Sequence, residues 1–214
     1  MKRAVIFDMD GTIWDSVDNI VLSWNQGLCE AGISDVVVTR ERIIGLMGRT
    51  MDQFAKALLP QYSPDEGMEI LHSLEMIENE HLREQGAILL GDVKGTFQAL
   101  KESGYFIGIV SNSQSGYIEA FLEHYHLEDL VDDKLAFGDT GQGKAENLKR
   151  MIEQNGLERY WYLGDTAGDY NACCEAEVPF IWAAYGFGTV PADVPRVDSL
   201  EEIVSKVRKL DSAQ

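Results

Sequence analysis

The sequence predicts an α/β protein: a three-layer α/β/α core with a parallel sheet, plus an inserted all-helical segment. Three observations predict it. The short runs Ala4–Phe7, Tyr105–Val110, Tyr160–Gly164 and Phe180–Ala183 are mostly apolar rather than alternating, as in strands buried on both faces. From residue 87 onward these runs alternate with amphipathic helical stretches, the rhythm of a parallel sheet covered on both sides. Between the first run and that alternation, residues 16–86 carry helical periodicity and no strand pattern.

The first strand stops abruptly in Asp8-Met9-Asp10-Gly11-Thr12. Asp15-Ser16 can cap the next helix, where Val17, Ile20, Val21, Trp24 and Leu28 make one apolar stripe and Gly32 is the stop. A short helix is expected near Arg40–Leu46. Another follows Thr50, with Met51, Phe54, Ala55, Leu58 and Leu59 on one side, and stops at Pro60. Ser63-Pro64-Asp65-Glu66 is a capping box with proline at the first helical position; it opens a long helix closed near Gln85 by Gly86. Further helices are expected at 93–102, 117–125, 145–154 and 169–177, with an extra short strand at 135–137. Gly186–Pro195 reads as a loop. Ser199-Leu200-Glu201-Glu202 reads as a second capping box before a last helix carrying Leu200, Ile203, Val204, Val207 and Leu210. The first strand belongs with the later sheet. Residues 1–14 and 87–214 therefore form the expected core, and residues 15–86 an insert that leaves it directly after the acidic pair, placed to act as a lid.

The chain has 214 residues and a formal net charge of −18. That charge, with no basic face visible, argues against nucleic acid or an anionic membrane as partners. No apolar run approaches a membrane-spanning length. The N-terminus runs straight into a strand without a small-residue cleavage pattern, so a cytoplasmic protein is expected. Cys29, Cys173 and Cys174 do not form a disulfide framework, and the four scattered histidines have no zinc spacing. A monomer or small homo-oligomer is expected.

Four polar clusters fall at strand ends or just after them: Asp8/Asp10, Ser111/Asn112, Lys144, and Asp165/Asp169. In a parallel sheet those ends share one edge, where ligands bind. Carboxylates packed together repel unless a cation sits between them or one holds a proton. The leading pair therefore predicts a divalent metal, an acid/base role, or both. Asp8 and Asp165 make a hard-oxygen site suited to Mg²⁺. Ser111 and neighbouring N–H groups can hold phosphate oxygens at a helix start, and Lys144 adds fixed positive charge. One Asp of the pair can attack phosphorus while the other shuttles a proton.

These pieces resemble the haloacid dehalogenase-like superfamily, in particular its phosphoglycolate phosphatase and β-phosphoglucomutase-like branch. The matching residues are Asp8-Met9-Asp10-Gly11-Thr12, Val110-Ser111-Asn112, Lys144 before a helix, and Gly164-Asp165-Thr166-Ala167-Gly168-Asp169, in order and across essentially the whole chain. The resemblance implies a Rossmann-like core with a helical cap. It also implies a Mg²⁺-dependent phosphatase acting on a small phosphorylated metabolite, phosphoglycolate-like by association. It assigns Asp8 as the nucleophile forming an aspartyl-phosphate, and Asp10 as the acid and then the base. Metal binding falls to Asp8, Asp10 through its backbone carbonyl, and Asp165, with Asp169 supporting the metal's waters and pairing with Lys144. Gly11, Ser111, Asn112 and Lys144 are implied at the phosphate. In the insert, Arg49 of Gly45-Leu46-Met47-Gly48-Arg49-Thr50 either meets an anionic substrate end or is a solvated turn residue.

Rival readings are weaker. Gly138-Asp139-Thr140-Gly141-Gln142-Gly143-Lys144-Ala145 nearly matches a nucleoside-triphosphate phosphate loop, but Ala145 lacks the hydroxyl that would hold Mg²⁺. A calcium loop fails because glycine falls at the fourth position rather than the sixth. A phosphorelay receiver domain has no room for the helical insert. A dehalogenase would not need Asp10, since no alkoxide leaves. A phosphomutase shares the core chemistry and stays open.

Overall fold

The computed structural model describes residues 1–212. In chain order its elements are β1 (Arg3–Phe7), β2 (Trp14–Asp15), α1 (Val17–Glu30), α2 (Arg40–Ile44), α3 (Met51–Leu58), α4 (Pro64–Gln85), β3 (Ile88–Leu89), α5 (Val93–Glu102), β4 (Tyr105–Ser111) and α6 (Tyr117–Tyr125). There follow β5 (Asp133–Ala136), α7 (Phe137–Thr140), α8 (Lys144–Asn155), β6 (Arg159–Gly164), α9 (Ala167–Ala176), β7 (Phe180–Ala183), β8 (Arg196–Val197) and α10 (Glu202–Ser212).

Among the described residues, six strands form one parallel sheet in the order β5-β4-β1-β6-β7-β8. β1 is central because Ala4 to Phe7 are fully buried and can be covered from both faces. Its alternate residues feed two different layers. Val5 and Phe7 pack with Phe97 of α5, Phe121 of α6 and Ile203 of α10, while Ala4 and Ile6 pack with Leu148 and Met151 of α8 and Cys173 of α9. This is the three-layer core that the uniformly apolar strands predict.

Register fixes where function can lie. Phe7 stands opposite Ile109 of β4 and Leu163 of β6. Asp8, Ser111 and Asp165 therefore emerge together at one edge, where the chain crosses from one side of β1 to the other. The helices between residues 17 and 85 pack on a separate apolar cluster, in which Trp24, Ile43, Phe54, Leu58, Leu71 and Leu74 are buried. The chain passes between this cluster and the sheet along the antiparallel pair β2–β3, Trp14 opposite Leu89. That pair was not legible beforehand, being too short for a period-2 pattern. No described helix is long and apolar enough to cross a membrane.

Of the expected Asp15-Ser16 cap, Asp15 makes the bond, accepting from the Val17 N–H at 3.1 Å, while Ser16 stands at the N-cap of α1 without a capping bond. At residues 199–202 the glutamates serve other donors. Glu202 accepts from the Asp198 N–H at 3.0 Å and Glu201 from the Asp92 N–H at 2.7 Å, so α10 starts at Glu202. The Ser63 box forms as expected.

Phe97 is fully buried with its ring centroid 5.0 Å from that of Phe7. Phe97→Ala should lower unfolding free energy by about 3–5 kcal/mol, the cost of lost burial plus a cavity against a strand that cannot collapse inward. Urea denaturation checks this; a loss below about 1 kcal/mol would mean the sheet is not packed as described.

Candidate active site

Lys144 is the centre of the sheet edge. It opens α8, is 4 % exposed, and turns its ammonium inward. Nζ donates to Asp8 Oδ1 at 2.8 Å and pairs with Asp169 Oδ1 as well. Asp169 is oriented by a reciprocal capping box at the start of α9, its Oδ2 accepting from the Thr166 N–H at 2.9 Å and hydroxyl at 2.7 Å. Asp165, fully buried, accepts from the Phe187 N–H at 2.8 Å and the Gly188 N–H at 3.3 Å through Oδ2. Its Oδ1 is buried with no partner.

Asp8, Asp165 and Asp169 each bring a carboxylate oxygen to within 4.8 Å of the others. One lysine does not balance three carboxylates. Burial pushes the Asp165 carboxyl up to about 8, with Asp169 and Asp8 adding to the shift. Burial likewise pushes Asp8 up to about 7; Asp169 adds to this and Lys144 opposes it. Asp169 is held low despite its burial, chiefly by the Lys144 charge. Lys144 is raised despite its own burial, by the same two aspartates. An all-oxygen set with surplus negative charge and an orphaned buried oxygen fits a hard divalent cation. Gly11 leaves the room: its φ is +80°, and a Cβ there would run into the Asp165 carboxylate.

The carboxylate of Asp10 lies outside this cluster. Its Oδ1 accepts from Ser16 Oγ at 2.5 Å and its Oδ2 from Tyr117 at 2.7 Å, and those two hydroxyls are 2.7 Å apart. Burial pushes Asp10 up to about 6, against both hydroxyl bonds. A carboxyl poised near neutrality and tied to no cation suits proton transfer.

Asp8, Asp10, Ser111, Asn112, Lys144 and Arg49 all line one cavity of about 50 Å³. Ser111 Oγ accepts from the Ser113 N–H at 3.2 Å, and Asn112 donates to the Gly48 carbonyl at 2.8 Å, reaching from the sheet edge to the helical segment. Asn112 Oδ1 is buried and unpartnered. Arg49 is exposed and makes no ion pair among the described residues. Sequence reasoning did not single out Ser16, Tyr117 or Glu78. Ser16 looked like a cap, and Tyr117 like the first turn of a helix. Glu78 carried a signal: Leu71, Glu75, Glu78 and Leu82 share one face of α4, so acids occupy a buried stripe.

A family model described as haloacid dehalogenase-like hydrolase matches residues 5–183. The chain belongs to this family. Among its curated relatives, the phosphoglycolate phosphatase of Aliivibrio fischeri is 26 % identical, covering 95 % of this chain and 92 % of that protein. The phosphoglycolate phosphatase of Vibrio cholerae is 24 % identical over 86 % of this chain and 85 % of its own length. Of solved structures, a predicted phosphoglycolate phosphatase from Haemophilus somnus superposes with TM-score 0.82 at 19 % identity, covering 100 % of this chain and 98 % of the other. A β-phosphoglucomutase from Clostridium difficile gives 0.77 at 17 %, covering 99 % and 100 %. The fold is therefore that of the family's hydrolases, with a parallel core and a helical segment.

The cluster predicts linked proton and metal effects. Asp8 and Asp165 have folded pKa values above their unfolded ones, so without metal the folded state binds more protons. Stability then falls as pH rises from about 4 toward 8. Asp169, held low, is ionised in both states over most of that window. Mg²⁺ competes with those protons, so its stabilising effect should be larger at about pH 8 than at about pH 5.5. Thermal melts with and without Mg²⁺ check this, and Asp165→Asn should abolish most of the shift. An equal Mg²⁺ shift at both pH values, or in the variant, would contradict the assignment.

Proposed function

We propose that this protein is a Mg²⁺-dependent phosphatase that hydrolyses a small phosphomonoester through an aspartyl-phosphate at Asp8. The observation that carries the reading is the split environment of the leading pair. Asp8 is braced by Lys144 beside two more carboxylates, while Asp10 stands apart on two hydroxyls.

Asp8 attacks phosphorus with the carboxylate whose Oδ1 Lys144 holds. Asp10 gives its proton to the departing alkoxide, so the alcohol leaves neutral. In the second half, Asp10 takes a proton from a water that attacks the phosphorylated Asp8, and inorganic phosphate is released. Ser111, Asn112, the backbone around Gly11 and Lys144 steady the phosphoryl oxygens. Asp8, the backbone carbonyl of Asp10 and Asp165 would hold Mg²⁺, with Asp169 behind them. The ion would supply positive charge to the phosphate oxygens and so favour in-line transfer. The core is residues 1–14 and 87–214. Residues 15–86 act as a cap that closes over the cavity and excludes water, and Arg49 lies at the rim where substrate enters.

The relatives named as phosphoglycolate phosphatases make 2-phosphoglycolate a reference compound to test. A nucleotide-binding loop at residues 138–144 gains no support. Residues Phe137–Thr140 are wound into α7, and Lys144 is committed to two aspartates. A phosphomutase, the second reading, would use the same core residues and differ in what reaches the phosphorylated Asp8.

A phosphate-release screen over small phosphoesters, with and without Mg²⁺, tests the reading. Release should require the metal and vanish in Asp8→Asn. Asp10→Asn should lower kcat by about 10²–10⁴, as loss of a general acid does. Full release without a divalent metal, or in Asp8→Asn, would sink the mechanism. Interconversion of a sugar phosphate without release would move the assignment to a mutase.

A further inference from the structure

The loop Gly186-Phe187-Gly188 follows β7 and carries no reacting group. It nonetheless holds one of the clustered acids. The Phe187 and Gly188 N–H groups both donate to Asp165 Oδ2, at 2.8 and 3.3 Å. Oδ1 is then the oxygen of Asp165 left without a partner. The glycines let the backbone come this close. A Cβ on Gly186 would run into the Asp165 side chain and the Gly11 carbonyl, and one on Gly188 would lie 2.9 Å from the Asp165 carbonyl. Phe187 is thus the one residue of the three with a side chain. That side chain packs against the apolar cluster of the helices between residues 17 and 85. One residue therefore touches both parts of the molecule: its N–H holds Asp165, and its ring rests on the helical segment.

We propose that Phe187 is a positioning residue that couples the helical segment to the metal site. Closure of the segment sets Asp165 for the cation, and the bound cation in turn holds the segment closed. The inference rests on the Mg²⁺-dependent phosphatase reading above and adds how the metal and the helical segment are linked.

The anchoring of the loop supports this. The Tyr185 hydroxyl donates to the Thr12 carbonyl at 2.7 Å, and the Gly186 N–H to the Ala183 carbonyl at 3.1 Å. The loop is fastened to the core up to Gly186; past it, the Phe187 side chain leans on the helical segment instead. If that segment swings away, the ring loses its apolar surface and the two N–H groups lose their fixed aim. Asp165 then loses the donors that decide which oxygen it offers a hard cation, and such supporting bonds weigh heavily on metal affinity. A second approach falls at the same place. A Cβ on Gly48 of the helical segment would lie 3.4 Å from the Thr166 hydroxyl, which holds Asp169. Coupling of this kind is reciprocal: the free energy that closure lends to metal binding, metal binding lends to closure.

Isothermal calorimetry of Mg²⁺ binding without substrate, together with hydrogen exchange of the helices between residues 17 and 85, tests this. In the wild type, Mg²⁺ should slow exchange in those helices. Phe187→Ala keeps both N–H donors and removes only the ring. It should weaken Mg²⁺ binding about tenfold and lose the Mg²⁺-dependent slowing. Phe187→Leu restores apolar bulk and should recover most of both. A ring that merely packs would lower stability and leave Mg²⁺ affinity alone, so wild-type affinity in Phe187→Ala overturns the inference. Exchange in the wild-type helices that Mg²⁺ binding leaves unchanged also overturns it. That result needs no variant to fold and leaves the phosphatase reading intact. Wild-type protein that binds no Mg²⁺ overturns the inference and counts against the Mg²⁺-dependent reading as well.

Discussion

A buried ammonium shared between two aspartates is the interaction on which the rest of this structure depends. Lys144 is reached only because β1 is the central strand, with β4 and β6 on either side delivering Ser111 and Asp165 to the same edge. It is too little charge for the acids around it. Asp8, Asp165 and Asp169 are brought within reach of one another and one cation, so the surplus is answered by raised pKa values on Asp8 and Asp165. Such an arrangement costs stability in isolation. On the proposed reading, a further cation and a phosphoryl group offset that cost.

The two acids of the opening motif are separated by one residue and live in different chemistry. Asp8 faces the lysine and the other two carboxylates of the cluster. Asp10 faces Ser16, at the start of the helical segment, and Tyr117, on the sheet side. Its surroundings thus come from both parts of the molecule, and so does the cavity, where Gly48, Glu78 and Trp24 of the helical segment meet Asn112 and Gln114 of the loop after β4. On the proposed reading, closing the helical segment is what completes the acid and the leaving-group pocket.

Much of this was legible in the chain. Uniformly apolar strands gave the parallel sheet, and strand-end acids gave the edge at which residues distant in sequence gather. The Asp165 and Asp169 carboxylates meet Asp8 as the motif order implied. What escaped notice did so for physical reasons. Ser16 looks like a cap because serine preceding a helix usually caps; here a nearby carboxylate competes for its hydroxyl and Asp15 takes over the N–H. The β2–β3 pair is two residues per strand, below any periodic signal. Glu201 and Glu202 fitted a local capping box, but Glu201 is drawn to the Asp92 N–H across more than a hundred residues of sequence. Local patterns name the candidates; tertiary neighbours decide which bond is made.

The central claim is covalent: phosphorus is transferred to Asp8 before water takes it. Borohydride quenching during turnover tests this most directly, because it reduces an acyl phosphate to an alcohol and turns a phosphorylated aspartate into homoserine. Peptide mass spectrometry should find homoserine at position 8, only when substrate and Mg²⁺ are both present, and not in Asp8→Asn. Turnover with no homoserine anywhere, or with the label at Asp10 or Asp165 instead, would contradict the account.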